Sequence, residues 1–540
     1  MKLKRILLAL VLFFSLFGFA QESQINSIIT NRVNSDQVTA DGIVLFSQNL
    51  LSSIYENANY QQVWSDNKNV EDLLWILNES YNDGLTPDDY HLERIKQIRS
   101  DISKVSDPEK AADLDLLYTD GALLLATHLL VGKVDQSKIR KGWDIPQNST
   151  PIESQGMLEK ALKENSLRSL YKQIRPDHFM YEHLRNGLAK YREIEENGGW
   201  PSIPSGQVLK PDMHDDRVLL MREYLIVTGD LPAINNNDTS KVYDENMVSA
   251  IKNFQLRHNL NQDGVVGKGT LEVMNVPIEK RIDEIRINLE RARWIIHHLP
   301  EDFLVVNIAG YNIRRIRNDS TIFYSRVIVG KHYHESPIFD GTMTYIELNP
   351  TWTLPYSIAT KETLPKLKKN PDYLSEKNMI IMDRNGEVLD PSTINFNSLS
   401  KNNFPYIVRQ KAGPHNALGE VKFMFPNSYA VYLHDTPARS LFAREKRAFS
   451  HGCIRLDDKW GLFLNLMGDE WNMKKIDEIV ASEKTTTVKL KNPIEIMLLY
   501  WTAGADKQDE IYFNKDVYDR DPEVLEQLDM PIVFKKAKEL

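Results

Sequence analysis

The chain has 540 residues, 42% of them hydrophobic and 26% charged, so sizeable cores can form, and at about 150 residues per domain it should divide into three or four compact units. Its formal charge of −9 excludes a general nucleic-acid binder, which carries a basic excess. A single cysteine, Cys453, excludes an intramolecular disulfide framework and any zinc site built on several thiolates.

The chain opens with Lys2, Lys4 and Arg5, an apolar run from Ile6 to Phe19, and the small residues Gly18 and Ala20 before Gln21. This pattern predicts a secretory signal peptide over residues 1–20, cut after Ala20. The apolar run is 14 residues long, short of the roughly 20 that span a bilayer. No other apolar stretch is expected to approach that length, so the cut chain should hold no stable membrane span, and the periplasm is the expected location. A lipoprotein anchor would need a cysteine at the cut, so none is expected.

Residues 34–200 read as a helical scaffold region, with stripes such as Leu73, Leu74, Leu77 and Leu116, Leu123, Leu124, Leu130. His91 and His128 read as surface or packing histidines. A Gly and Pro cluster from Asn197 to Gly206 marks a boundary. Residues 207–277 form a small helical unit with stripes at Val218, Met221, Leu225 and at Tyr243, Met247, Ala250, Phe254. It holds no catalytic constellation, so it reads as a binding or packing module. Residues 281–297 predict a connecting helix whose apolar stripe (Ile282, Ile285, Leu289, Ala292, Ile296) should lay one face on a sheet.

From residue 300 to 505 the period changes to two, in runs such as Phe303–Ile308, Tyr324–Gly330, Ala430–His434 and Ile494–Trp501, which predicts a mainly β domain. Residues 358–411 interrupt it with a Lys- and Asn-rich stretch holding Pro365, Pro371, Pro391 and Pro405, either a lid over a site or a plain surface excursion. Residues 506–540 read as a C-terminal extension. The fold class is multidomain α+β.

Chemistry concentrates around the one cysteine. His434-Asp435-Thr436-Pro437 is followed, with fifteen residues between His434 and Ser450, by Ser450-His451-Gly452-Cys453-Ile454-Arg455-Leu456. An ordinary thiol is mostly protonated at neutral pH, so a working nucleophile wants a base or a positive charge nearby. His434, His451 and Arg455 are all within sequence reach. Gly452 fits a tight turn that would aim the amides of Gly452 and Cys453 at a developing oxyanion. The alternative is a buried, inert thiol packing as a small hydrophobe.

Other chemistries fit less well. A phosphatase loop needs His directly before Cys and Arg six positions after it, whereas here Gly452 intervenes and position 459 is Lys. A papain-like protease places Cys before its His. No His-Glu-x-x-His motif exists, and His332-Tyr333-His334 reads as a surface loop pair rather than a zinc site.

Two resemblances follow from these residues. Ala250-Ile251-Lys252-Asn253-Phe254-Gln255 and Asp263-Gly264-Val265-Val266-Gly267-Lys268-Gly269-Thr270-Leu271 resemble the peptidoglycan-binding domain 1 family. His434 and Ser450-His451-Gly452-Cys453-Ile454-Arg455 resemble the signature of the L,D-transpeptidase (YkuD) catalytic domain. Asn349-Pro350-Thr351-Trp352, Asn416-Ala417-Leu418-Gly419 and Tyr432-Leu433-His434-Asp435 agree with it. Ser336-Pro337 stands where that family is expected to show Thr-Pro. The order of the three regions is similar to the large YcbB-type members.

The resemblance implies that Cys453 attacks a peptidoglycan tetrapeptide stem, forms a thioester and expels D-alanine, with His434 as general base. An amine of a second stem then receives the acyl group, crosslinking two third residues. Ser450 would orient the turn, and His451 would stabilise thiolate or shape the turn. Arg455 would hold a substrate carboxylate or make an internal ion pair. Asp435 should not orient the imidazole with its side chain, since strand neighbours face opposite ways, and a backbone carbonyl is the expected partner. Trp352 and Tyr432 line the pocket or pack the core. No metal or organic cofactor is implied. Carbapenem-type β-lactams are expected to acylate Cys453. An L,D-carboxypeptidase or endopeptidase on the same fold, and a non-catalytic wall-binding scaffold, are the alternatives.

Overall fold

The computed structural model describes residues 21–102, 107–139, 143–145, 151–233, 239–370 and 372–536. The expected signal peptide at 1–20, and Pro371 of the insertion, lie outside the described residues.

The scaffold is built around the helix Pro108–Val131. Asp107 caps its start by accepting from the Glu109 and Lys110 amides, and Pro108 takes the first turn. Contrary to the sequence expectation, this helix is long and apolar enough to cross a membrane by length and composition, yet 83% of its apolar window is buried inside the fold. It is the core helix on which Gln48–Asn57, Leu92–Ile102 and Pro151–Glu164 pack. His91 is buried against Asp120 at 2.8 Å, and His128 Nδ1 lies 3.0 Å from the Tyr90 hydroxyl. Two elements of this region are extended rather than helical, a hairpin of Thr39–Ala40 with Ile43–Val44 and a strand Trp143–Asp144 that pairs with the catalytic sheet.

The small module has its own core of Val218, Met221, Leu225, Met247, Phe254 and Met274. Gln255 ties its turn, accepting the Gly264 amide at 2.9 Å and donating to the Val265 carbonyl at 3.1 Å. Gly264 has φ +71°, where glycine is favoured. The module also touches the β domain, through Asn259 to the Gly310 carbonyl and the Asn261 amide to Glu445.

The connecting helix Ile278–Ile295 packs on the strand Ala503–Ala505, as expected of a face laid on a sheet, and is also flanked by helices Pro108–Val131, Phe179–Glu196 and Asp521–Asp529. Its polar side must therefore be satisfied inside the protein. Arg293 and Glu290, both fully buried, pair at 2.5 Å. Arg293 also donates to the Asp83 carbonyl at 2.8 Å, and Glu290 accepts from Trp294 and the Val134 amide.

The β domain is a closed mixed sheet. In order, Val421–Met424, Leu433–His434, Ile454–Leu456, Ser320–Gly330, Asn312–Arg317, Asp302–Asn307, Thr486–Leu499 and Ile338–Leu348 pair in turn, and the last returns to the first. Closure removes the free edges an open sheet would expose. Alternate positions such as Val306, Ile313, Val327, Leu433, Ile454 and Leu498 fill the interior and are fully buried.

The insertion is a compact subdomain. Val388–Leu389, Met379–Met382, Ile407–Gln410 and Trp352–Thr353 form its own sheet. Leu354, Leu364, Leu367, Ile381, Phe396 and Val408 form its own core. The C-terminal residues are integral to the fold: Ile511–Phe513 pairs with Ala503–Ala505, and Lys535 accepts from the Val44 amide at 2.8 Å.

Candidate active site

The strands Leu433–His434 and Ile454–Leu456 run parallel, with Leu433 opposite Ile454 and His434 opposite Arg455. Side chains alternate across a strand. The same register therefore turns Leu433 and Ile454 into the barrel and Tyr432, His434, Cys453 and Arg455 outward onto one face. There they line a cleft of about 440 Å³, together with Trp352, Lys361 and Glu362 of the insertion side and His334. A second cavity of about 400 Å³, between Phe179, Arg314 and Trp501, contains none of these groups.

His434 is buried, and its Nδ1 lies 2.5 Å from the Asp435 carbonyl oxygen. A carbonyl can only accept, so Nδ1 carries the hydrogen and Nε2 is left with its lone pair. Burial, aided by the Arg455 guanidinium, pushes the imidazole down to about 3, against the opposing pull of the Asp435 and Leu418 carbonyls. The ring is therefore a neutral base at neutral pH. The Asp435 carboxylate turns away from it to Lys459 at 2.5 Å, as the alternation of the strand requires.

Cys453 is half-buried, with Sγ 3.9 Å from the Ala430 carbonyl. Burial pushes its thiol up, while contacts with Tyr432 and the cations Lys422 and Arg455 pull the other way. The Tyr432 hydroxyl faces both Cys453 and Trp352; the indole N–H can only donate, so the hydroxyl is free to donate to sulfur. Lys422 sits 4.2 Å over the Tyr432 ring.

The catalytic turn is tied by Ser450, whose hydroxyl donates to the Cys453 carbonyl at 2.6 Å and accepts the Gly452 amide at 3.1 Å. This corrects one expectation, because the Gly452 N–H is spent inside the turn and only the Cys453 N–H is left for an oxyanion. Gly452 has φ +118°, a conformation that favours glycine. His451 lines the same cleft as Cys453, is exposed and pairs at 2.7 Å with Glu362 of the insertion. His332 and His334 are both exposed, as expected of a surface loop pair; the His334 ring packs 5.2 Å from His451 at the cleft wall, and His332 lies 3.1 Å from Asp519.

Arg455 is half-buried, its Nε is buried without a hydrogen-bond partner, and among the described residues it makes no ion pair. The internal-pair alternative is thereby set aside, leaving a cation that faces the cleft. Sequence reasoning missed two supports. The Ser336 hydroxyl donates to the Gly452 carbonyl at 2.7 Å and accepts the Gly330 amide at 3.0 Å. Tyr518, from the supposed extension, donates to the Gly330 carbonyl at 2.7 Å and accepts the Ser336 amide at 3.3 Å. The Ser336-Pro337 segment was visible as a motif, but nothing local marked Tyr518.

Three family descriptions match the chain: "Scaffold domain" over residues 49–188, "Putative peptidoglycan binding domain" over 214–274 and "L,D-transpeptidase catalytic domain" (YkuD) over 301–476. A curated Haemophilus influenzae protein named "Putative L,D-transpeptidase" is 34% identical over 289 residues, covering 51% of this chain and 58% of its own length. The chain thus spans little more than half of that relative. Similar solved structures include an L,D-transpeptidase from Stackebrandtia nassauensis (12% identity, 51% of this chain and 90% of that one, TM-score 0.20). Another is the L,D-transpeptidase LdtMt1 in complex with imipenem (14% identity, 37% and 59%, TM-score 0.18). Residues 301–476 are thus a YkuD-type L,D-transpeptidase catalytic domain, carried with a peptidoglycan-binding domain 1 module at residues 214–274.

Proposed function

We propose that the protein is an exported, periplasmic cysteine acyltransferase that crosslinks peptidoglycan stems. The observation that carries this reading is the single outward face shared by Cys453, a neutral His434 and the unpaired Arg455. His434 Nε2 takes the thiol proton as sulfur attacks the carbonyl of the third residue of a tetrapeptide stem. The Cys453 N–H donates to the oxyanion. His434 returns the proton to the departing nitrogen, the C–N bond breaks, and D-alanine leaves a thioester on Cys453. An amine of a second stem then attacks the thioester; a C–N bond forms and the thiol regains its proton. Arg455 holds a stem carboxylate through its fork of donors, and Trp352 and Tyr432 wall the acyl site. Carbapenems, whose strained carbonyl presents the same electrophile, acylate Cys453.

The test incubates the protein cut after Ala20, and its Cys453→Ala counterpart, with purified disaccharide tetrapeptides. Mass spectrometry should show a dimer lacking one D-alanine from the first and not from the second. Tripeptide monomer alone would reassign the enzyme as a carboxypeptidase. Absence of product from both, with no imipenem adduct on Cys453, would leave a wall-binding scaffold.

A further inference from the structure

We infer that Lys459 is a positioning residue for His434, acting through Asp435. The inference rests on the reading of His434 as the general base. The Nδ1 side of the imidazole is held by the Asp435 carbonyl at 2.5 Å. That carbonyl lies just past the strand, which ends at His434. Its orientation depends on what holds the rest of Asp435.

Asp435 is held on three sides. Its amide donates to the Val421 carbonyl at 2.9 Å. Its Oδ2 accepts the Glu420 amide at 3.0 Å and Lys459 Nζ at 2.5 Å. Arg439 reaches Oδ1 only at 3.5 Å. The residue is 3% exposed, so its carboxylate cannot exchange these partners for water. Lys459 Nζ also reaches Glu420 Oε2 at 2.6 Å, so one ammonium holds both acids. Gly419 leaves the space, since a Cβ there would sit 2.2 Å from Asp435 Oδ2.

Lys459 is itself fixed at the first position of the helix Lys459–Met467. Asp458 caps that helix through the Gly461 amide at 2.9 Å, and the Asp458 amide donates to the Ser325 hydroxyl on a barrel strand at 2.9 Å. The barrel thus places the helix start, the helix start places the ammonium, and the ammonium fixes the carboxylate whose backbone carbonyl orients the ring. Lys459 is not part of the cleft wall and does not touch substrate.

The experiment compares wild type, Lys459→Met, Lys459→Arg, Asp435→Asn and His434→Gln. Selective ¹⁵N-histidine labelling reads the His434 tautomer without any substrate, and D-alanine release from tetrapeptide gives the pH profile of kcat/KM. Wild type should show a fixed Nδ1–H tautomer. Lys459→Met and Asp435→Asn should show averaged tautomers and at least a tenfold lower kcat/KM carried by kcat, with a displaced acid limb. Lys459→Arg should recover to within about threefold. A wild-type tautomer and pH profile in folded Lys459→Met would overturn the inference. Should that variant not fold, Asp435→Asn, which leaves Lys459 its Glu420 partner, decides the matter by the same two readings. Unchanged turnover in His434→Gln would instead defeat the base assignment, while the tautomer would still report on Lys459.

Discussion

Replacing Tyr432 by Phe removes the hydroxyl that faces the Cys453 sulfur and can donate to its thiolate and leaves the ring and its cation contact in place. A hydrogen bond to a charged group is worth about 1.5–3 kcal/mol, and one pKa unit is about 1.4 kcal/mol. The thiol, already pushed by burial above its ordinary value of 9.0, should therefore rise by about one to two further units. A less acidic thiol is intrinsically more nucleophilic, with a Brønsted coefficient of about 0.4–0.5, so roughly half of the lost thiolate is compensated in rate. The net expectation is alkylation by iodoacetamide roughly 4- to 16-fold slower than wild type between pH 7 and 9. In wild type itself the rate should climb about tenfold per pH unit across that window. His434, pushed down to about 3, supplies no imidazolium to pair with a thiolate there. Intact-mass kinetics over pH 5–10 measures both curves. A wild-type plateau with a midpoint below pH 7 would show a thiolate–imidazolium pair and refute the reasoning, as would coincident curves for the two proteins.

Arg455→Gln should raise KM for the tetrapeptide tenfold or more while altering the fold little, because among the described residues the guanidinium has no ion-pair partner to abandon; steady-state kinetics checks it, and an unchanged KM would return Arg455 to a packing role. Gly419→Ala should destabilise by about 1–3 kcal/mol, since its Cβ would meet Asp435 Oδ2 at 2.2 Å on a backbone with φ +63°, and urea unfolding would show it. Acid should weaken the fold early. His434 and His128 are pushed down to about 3 and about 4 and His258 well below its ordinary value, burial being the first cause in each. Such groups bind protons in the unfolded chain from about pH 6.5 downward but not in the folded one, so each lowers stability by up to about 1.4 kcal/mol per pH unit below 6.5. Asp115, raised by burial to about 6, opposes this with a single proton. The thermal midpoint should fall from pH 7.5 to 5.5, and a flat profile would contradict the burial of these rings.

The outward face of the site was legible in the sequence because it depends on local periodicity. His434 ends a period-two run, Cys453 and Arg455 are two apart, and strand alternation alone excluded the Asp435 side chain as the partner of the ring. What local pattern could not show was contact at long range. His451 sits beside the thiol in sequence but reaches Glu362, 89 positions earlier. Tyr518 braces Gly330 across 188 positions. The connecting helix read as one-sided because its arginines and glutamates look solvent-bound, and only a buried network such as Arg293 with Glu290 and Asp83 permits them inside. The Gly452 amide read as an oxyanion donor because a glycine turn usually frees its N–H; here Ser450, two residues earlier, consumes it.

The cap formed by the insertion enters and leaves the catalytic domain through two antiparallel neighbours, with Thr353 opposite Arg409 and Trp352 opposite Gln410. Directly opposed residues in such a pair stand about 5 Å apart. The cap is thus an enlarged hairpin turn rather than a structural member of the barrel, and its private core goes with it if it is excised. Joining Thr353 to Arg409 by a two-residue turn would leave every barrel strand continuous. What such a trimmed enzyme would lose is the wall that Lys361 and Glu362 raise beside Cys453. Caps of other sizes could be grafted at the same pair of residues, so that, on the function proposed above, the barrel would keep its cysteine while the shape of what the cleft admits is set by a detachable part.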